Sequence, residues 1–424
     1  MIDDPSTPVL VLVSHHHVGI GIARSLGRLG IRVYGIDRDR FSPMLFSRYC
    51  RGRFIWDLHH APVGDSIAFL REVSRKIGRR ALLIPTSDVG AMFVEEHADQ
   101  LADKYIFPER SASLVRTLCN KREMYYLARK CNVDAPQTAF PRSREDVVEY
   151  LKTARFPVLV KPIYNRVPGL KFWRMAIVHD ERELLARYDA VEDPVTPNVM
   201  LQEYIPGGDE MTWVFNGYFD RSGECQVAFT GRKLRNFPPY FGQASLAVCE
   251  KNDHVEKTTI AFMKAIGYRG PLDLGYRYDA RDCKYKVNDI NPRVGAMFRA
   301  FVADNGADVI RALYQDMTGQ PVTPAKGAPE GRKWLVEDVD LLSSFRYWRD
   351  GKFTLKQWAN SFRGVREMAF LAADDPLPLA AACMMDTRHA LLDATRYSGK
   401  TEIAFKSQPR PRFWTARPRM PSDE

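Results

Sequence analysis

Apolar residues in the first hundred positions come in short unbroken runs separated by helical patterns. Val9–Ser14 (VLVLVS) is apolar up to its last position, which predicts a strand buried in a parallel sheet. Val18–Leu29 sets Ile22, Leu26 and Leu29 on one side of a helix. Val33–Ile36 and Ala81–Pro85 predict two more strands, and Asp65–Ile77 and Val89–Leu101 predict helices. This alternation predicts a doubly wound sheet over residues 1–108, ending near Pro108.

The pattern then changes. Ser111–Cys119 and Lys121–Cys131 read as helices before Pro136 breaks the chain. Strands dominate afterwards: Val158–Lys161, Val199–Tyr204, Met211–Asn216, Cys225–Gly231, Leu272–Tyr278 and Tyr285–Ile290. Helices are expected at Ser143–Thr153, Glu181–Ala190, His254–Ile266 and Ala303–Thr318, so this region reads as α+β. Pro321–Gly331 has the composition of a linker. In the remainder, Thr354–Asn360 and Arg388–Arg396 suggest helices, and the run Pro376–Met385 suits core packing or a surface contact. Residues 406–420 hold five basic side chains and no acid, a tail without regular structure.

Composition narrows the class. The chain has 424 residues, 45% of them hydrophobic, which excludes a disordered chain and predicts two or three domains. No apolar run approaches the ~20 residues of a membrane span. Residues 5–23 lack charge but follow Asp3 and Asp4, unlike a signal peptide or anchor. Seven irregularly spaced cysteines point to reduced thiols in a cytoplasmic protein. A net charge of +10 suits anionic ligands.

Chemistry concentrates at Asn288–Arg293 (NDINPR). In an extended strand Asp289 and Asn291 project from one face, with Arg293 just beyond. A carboxylate and an amide oxygen suit a hard cation such as Mg²⁺, and the guanidinium suits a phosphoryl group. Phe156–Pro162 (FPVLVKP) ends an apolar strand on Lys161, which suggests a phosphate contact. Gln202–Glu210 runs a strand into a Pro-Gly-Gly turn bracketed by Glu203 and Glu210. Asp88, after the strand at residues 81–85, stands where ligands of open parallel sheets bind, or caps the next helix. Gly19, Gly21 and Asp37 begin a dinucleotide fingerprint that Arg24 leaves incomplete. His15–His17 lacks the partners of a metal site.

Taken in order, Lys121, Lys161, Glu203, Glu210, Asp289, Asn291 and Arg293 resemble the ATP-grasp superfamily, and within it the carboxylate–amine ligase branch that includes D-aspartate ligase-like enzymes. The resemblance spans roughly residues 9–320. It implies an α/β architecture: a Rossmann-like leading domain (1–108), a two-lobed ATP-grasp region (109–325; lid lobe about 135–204, catalytic lobe about 205–325) and a C-terminal extension (326–424). It implies ATP and Mg²⁺ as cofactors. Lys121 and Lys161 match phosphate-binding lysines. Glu203 matches the hinge acid near adenine, with Tyr204 and Ile205 offering backbone contacts, and Glu210 matches the ribose-binding acid. Asp289 and Asn291 match metal ligands, and Arg293 the arginine at the reacting phosphate. Arg232, Lys233 and Arg235 resemble the branch's basic segment, expected just after a strand to meet phosphate or substrate carboxylate. Asp88 is the candidate for the amine of the substrate.

Two departures stand out. Gly275 occupies a position often held by a further metal ligand, with Asp273 two residues earlier as its replacement. The phosphate loop after Lys161 has one glycine, and offers Arg166 and Lys171 instead. The implied activity joins a carboxylate, expected to be anionic, to an amine through an acyl phosphate. The alternative is a non-catalytic nucleotide-binding or scaffold protein descended from such ligases. No nucleic-acid module is recognisable; a homodimer and a peripheral membrane contact are compatible with the sequence.

Overall fold

In the computed structural model the described residues are 2–14, 17–163, 175–240, 242–327 and 329–396, with side chains described to residue 388. His15, His16, Arg166, Lys171 and the basic tail lie outside them. Three sheets carry the fold. The first comprises β1 (Val9–Leu12), β2 (Val33–Asp37), β3 (Cys50–Ile55), β4 (Ala81–Pro85) and β5 (Tyr105–Ile106), all parallel in the order β3-β2-β1-β4-β5. β1 and β4 are buried at every position because neighbours and helices cover them on all sides. β3 alternates between half-buried and exposed residues because it is an edge, and so it has no apolar run to reveal it in sequence. The strand order reverses between β1 and β4, so loops at their carboxyl ends flank a crevice.

The second sheet comprises β6 (Thr138–Ala139), β7 (Val158–Pro162), β8 (Ala176–Val178) and β9 (Val199–Glu203), antiparallel in the order β6-β9-β7-β8. Val158 and Val160 pack with Val147, Leu184 and Tyr188 of the helices Arg144–Leu151 and Glu181–Val191. Strand alternation therefore sends Leu159 and Lys161 to the opposite face.

The third sheet comprises β10 (Thr212–Phe219), β11 (Cys225–Phe237), β12 (Gln243–Cys249), β13 (Gly270–Asp279), β14 (Lys284–Asn291), β15 (Lys333–Leu335) and β16 (Val365–Met368). Its order is β14-β13-β10-β11-β12-β15-β16. The last two strands come from beyond residue 326, so the C-terminal segment extends this sheet. β11 runs to Phe237, so Arg232, Lys233 and Arg235 lie within a strand rather than after one. The helix expected from Ala303 begins at Val309, where buried Asp308 caps it by accepting from the Ile310 and Arg311 N–H groups. A helix over Glu337–Arg349 was masked in the sequence by alternating acidic and apolar residues.

The first helix is tied to the segment 369–375. Arg24, 1% exposed in the first helix, His17–Gly27, pairs with Asp375 at 2.9 Å and donates to the carbonyls of Ala369 and Phe370. Ala381 and Ala382 of the last helix, Leu377–Arg396, are buried, which accounts for part of the uncharged run at 376–385. Among the described residues no helix is long and apolar enough to cross a membrane.

Candidate active site

The large sheet presents Asp273, Asp289 and Asn291 on one face. Register places Asp273 beside Asn291, and Gly275 beside Asp289. Val214 and Phe229, on that same face, join the core that contains the first helix. The Asn291 amide bridges the acids, its Nδ2 donating to Asp273 Oδ2 at 3.3 Å and Asp289 Oδ2 at 3.2 Å. Asn291 Oδ1 accepts from Arg293 Nη2 at 3.0 Å, and Arg293 Nε donates to Asp88 Oδ1 at 2.7 Å. The helix N-cap is Ser87, accepting from the Gly90 N–H, which frees the Asp88 carboxylate for this contact. Arg110, paired with Glu95 of the same helix, donates to the Pro292 carbonyl at 2.8 Å and fixes the turn that carries Arg293.

Asp273 is enclosed, and burial pushes its carboxyl up to about 6 against the pull of Arg293 and Lys233. Its Oδ1 and the amide of Asn216, fully buried across from it on β10, make no well-formed hydrogen bond, although the nearby Asn216 amide helps hold the carboxyl down. A Cβ on Gly295 would lie 2.2 Å from that Oδ1, so only glycine lets the chain pass. An unsatisfied buried polar atom costs about 1–3 kcal/mol unless a ligand completes it. The two carboxylates fit Mg²⁺, which takes oxygen ligands and leaves several positions to phosphates and water. Asn291 joins them through Oδ1 when its amide is turned over from the orientation that gives Nδ2 to the acids. Among the described residues no group of three or more His, Cys, Asp and Glu is gathered as a metal centre. The fit therefore depends on oxygens supplied by the nucleotide.

Three lysines approach from three elements. Lys161 of β7 donates to Gln202 Oε1 at 2.7 Å and reaches Asn288 Oδ1 at 3.5 Å. Burial, helped by the like charge of Lys121, lowers its ammonium to about 7. Lys121 opens the helix Lys121–Lys130 and donates to the Pro162 carbonyl at 3.3 Å; burial lowers it, while Asp289 and Asp88 pull it back. Lys233 reaches the Gly242 carbonyl at 3.5 Å, and burial likewise lowers it against Asp273, Asp289 and Asp209.

The other two basic residues of β11 are not brought to this centre. Arg232 shares its face with Trp213, lies 5.3 Å from that ring and pairs with Glu250 at 2.5 Å. Arg235, beyond an irregularity in the β11–β12 register, is buried against Asp340 at 2.7 Å. Three cations in four residues therefore split three ways, since strand alternation and the irregularity direct each differently.

The connection between the second and third sheets is fixed by Arg277, which sequence reading missed. It donates to the carbonyls of Ile205, Gly207 and Gly208 and to Thr212 Oγ1, at 2.6–3.2 Å. Gly207 has φ +121°, open only to glycine. Glu203 is gripped by Arg281 at 2.8 Å and Lys286 at 3.0 Å. The Tyr204 N–H donates to the Pro157 carbonyl at 3.3 Å. Glu210 is exposed and accepts from the Gly208 N–H at 3.3 Å. Arg277, Asn216 and Gly295 left no sequence signal beyond their neighbourhood to the motifs.

A cavity of about 310 Å³ opens between the leading domain, the β11–β12 turn and the C-terminal segment. Asp37, Asp39, Asp338, Asp386 and Arg38 line it, beside apolar Phe237 and Phe370. Burial pushes Asp37 and Asp338 each up to about 6.

This architecture is the ATP-grasp fold, and the sequence is similar to its carboxylate–amine ligase branch. The chain is 26% identical over 313 residues to D-aspartate ligase of Enterococcus faecium (strain Aus0004), covering 70% of this chain and 73% of that protein. The L-amino acid ligase of Bacillus licheniformis superposes with a TM-score of 0.58 at 14% identity, over 77% of this chain and 78% of that one. An ADP complex of N5-carboxyaminoimidazole ribonucleotide synthetase gives 0.58 at 12% identity, over 76% and 80%. No protein-family model matches the chain.

Proposed function

We propose that the protein is an ATP-dependent carboxylate–amine ligase that forms an amide or peptide-like bond with release of ADP and phosphate. The observation that carries this reading is the approach of Lys121, Lys161 and Lys233, all lowered by burial, to the Asp273–Asp289–Asn291 cluster. Partly desolvated lysines regain full charge against phosphate oxygens, whereas structural lysines keep to solvent.

Lys121 and Lys161 hold the nucleotide phosphates, and the 203–210 segment, with Glu203, Tyr204, Ile205 and Glu210, receives the adenosine. Asp273, Asp289 and Asn291 hold Mg²⁺, which when bound neutralises phosphate charge. Arg293 and Lys233 face the charge that develops as the substrate carboxylate takes the γ-phosphoryl group, giving an acyl phosphate. The amine then displaces phosphate. Positioning and charge do this work without a covalent nucleophile from the protein. Asp88 holds Arg293 through Oδ1 and keeps Oδ2 for an ammonium group. A cytoplasmic setting suits an ATP-dependent reaction and the free cysteines.

The test is ADP release with Mg-ATP and amino acids singly and in pairs, beside an Asp289→Ala, Asn291→Ala variant. Release that needs an amino acid and disappears in the variant is expected. Gly275 favours a second reading, a non-catalytic nucleotide-binding protein; Mg-ATP binding without ADP from any pair would select it.

A further inference from the structure

The helix Glu337–Arg349 is covered on one side only. Asp340, Ser343, Ser344 and Tyr347 are buried, Asp340 against Arg235 and Tyr347 against Asp209. On the other side Leu341, Leu342, Phe345 and Trp348 are 63%, 61%, 61% and 48% exposed. At 100° per residue these four span an arc of about 120° centred on Phe345. Exposed apolar residues are ordinary when scattered, but four large ones on one short helix are a contact surface.

Charge identifies the partner. The acids of the helix's first turn are engaged elsewhere, Glu337 with the Ala369 and Phe370 N–H groups, Asp338 at the cavity and Asp340 with Arg235. From Leu341 to Arg363 the chain carries Arg346, Arg349, Lys352, Lys356 and Arg363 against Asp350, which accepts from Tyr240. Leu355, 66% exposed, falls between two of these lysines in sequence. Two other occupants fit less well. A second copy in a two-fold contact would bring the same basic surface against itself. Residues 397–424 hold six basic side chains against three acids, so their charge does not complement the patch. An acidic protein would match the charge, but the apolar stripe stands on an outward helix surface, where it can enter a layer of lipid. Tryptophan, phenylalanine and leucine on one side, with basic residues beside them, suit a headgroup–acyl boundary of negative charge.

We propose that the outer face of the 337–349 helix, with the basic residues that follow it, docks the protein reversibly on an anionic lipid surface. This inference is independent of the ligase reading. The helix would lie in the membrane plane, with Leu341, Leu342, Phe345 and Trp348 inserted and Arg349 and Lys352 at the headgroups.

Cosedimentation of the full chain with vesicles tests it, using phosphatidylcholine alone or mixed with phosphatidylglycerol, at low and high salt. Binding is expected only to the mixed vesicles, weakened by salt. Phe345→Ser with Trp348→Ser should lower the partition at least about tenfold, because each removes buried apolar area. Arg349→Glu with Lys352→Glu should lower it further, each lost basic residue counting for about fivefold. Circular dichroism of each variant controls for folding, which exposed positions leave intact. Equal binding of wild type and both variants, binding to neutral vesicles alone, or no binding at all would overturn the proposal. So would a concentration-dependent dimer that Phe345→Ser with Trp348→Ser abolishes in a protein that ignores vesicles, which would assign the face to a second copy.

Discussion

Arg293 Nε meets Asp88 Oδ1 at 2.7 Å across 205 residues of sequence, joining the end of β14 to the first turn of the helix after β4. The first sheet thereby orients the guanidinium that the proposed reaction sets at the reacting phosphate. Arg293→Ala should abolish product formation with nucleotide affinity largely intact, since the phosphate lysines remain. Asp88→Ala should reduce turnover by about 10²-fold, the usual scale for a misplaced group. Steady-state ADP release paired with nucleotide titration separates the two effects; normal turnover in Arg293→Ala would remove the arginine from the reaction.

Lys161 gives a pH signature. Its ammonium, lowered by burial and Lys121 to about 7, is incompletely charged in the free protein near neutrality. Phosphate binding restores the charge, so nucleotide should bind with proton uptake at pH 7–8. The free protein binds fewer protons at this group than the unfolded chain does between pH 7 and the ordinary lysine value. This group's penalty to folding is therefore complete below 7 and relieved as pH rises through that window. Calorimetric titration in buffers of different ionisation enthalpy should show the uptake, and Lys161→Met should remove it.

The three cations of β11 should behave differently. Lys233→Met should cut turnover with little loss of stability. Asp340→Ala should destabilise by about 3–5 kcal/mol, because it leaves Arg235 buried and uncompensated. Arg232→Ala, whose partner Glu250 is partly exposed, should cost about 1 kcal/mol or less. Thermal melts beside rate measurements distinguish the three, and a Lys233 variant with full activity would return that residue to a structural role.

Gly275 and Gly295 make opposite tests. A Cβ at 275 meets nothing nearer than 3.9 Å, so Gly275→Glu should fold and lower the Mg²⁺ concentration needed for half-maximal activity. A Cβ at 295 collides with Asp273, so Gly295→Ala should raise that requirement or abolish activity. If both leave the Mg²⁺ dependence unchanged, the Asp273 cluster does not hold the metal.

Buried strands and the NDINPR motif were legible because their chemistry is local: β4 coincides with the apolar run at 81–85, and alternation put Asp289 and Asn291 together. What escaped is set by partners far along the chain. The edge strand β3 lacks an apolar run because half its residues face outward. β15 and β16 are short and find their place only against β12 and each other. The direction of Arg235 depends on a strand irregularity, and Arg277 acts on carbonyls about seventy residues earlier.

The contact between Arg24 and Asp375 bears on how the protein is made. A chain leaving the ribosome releases the leading sheet early, yet the guanidinium within its first helix waits 351 residues for its carboxylate. At about 5–20 residues per second that delay is roughly 20–70 s. During it the nascent first domain carries an unmatched cation on a surface meant to be interior, so its final closure belongs to the last stage of synthesis. Stalling translation before residue 369 should leave that domain protease-sensitive, and release of the full chain should protect it.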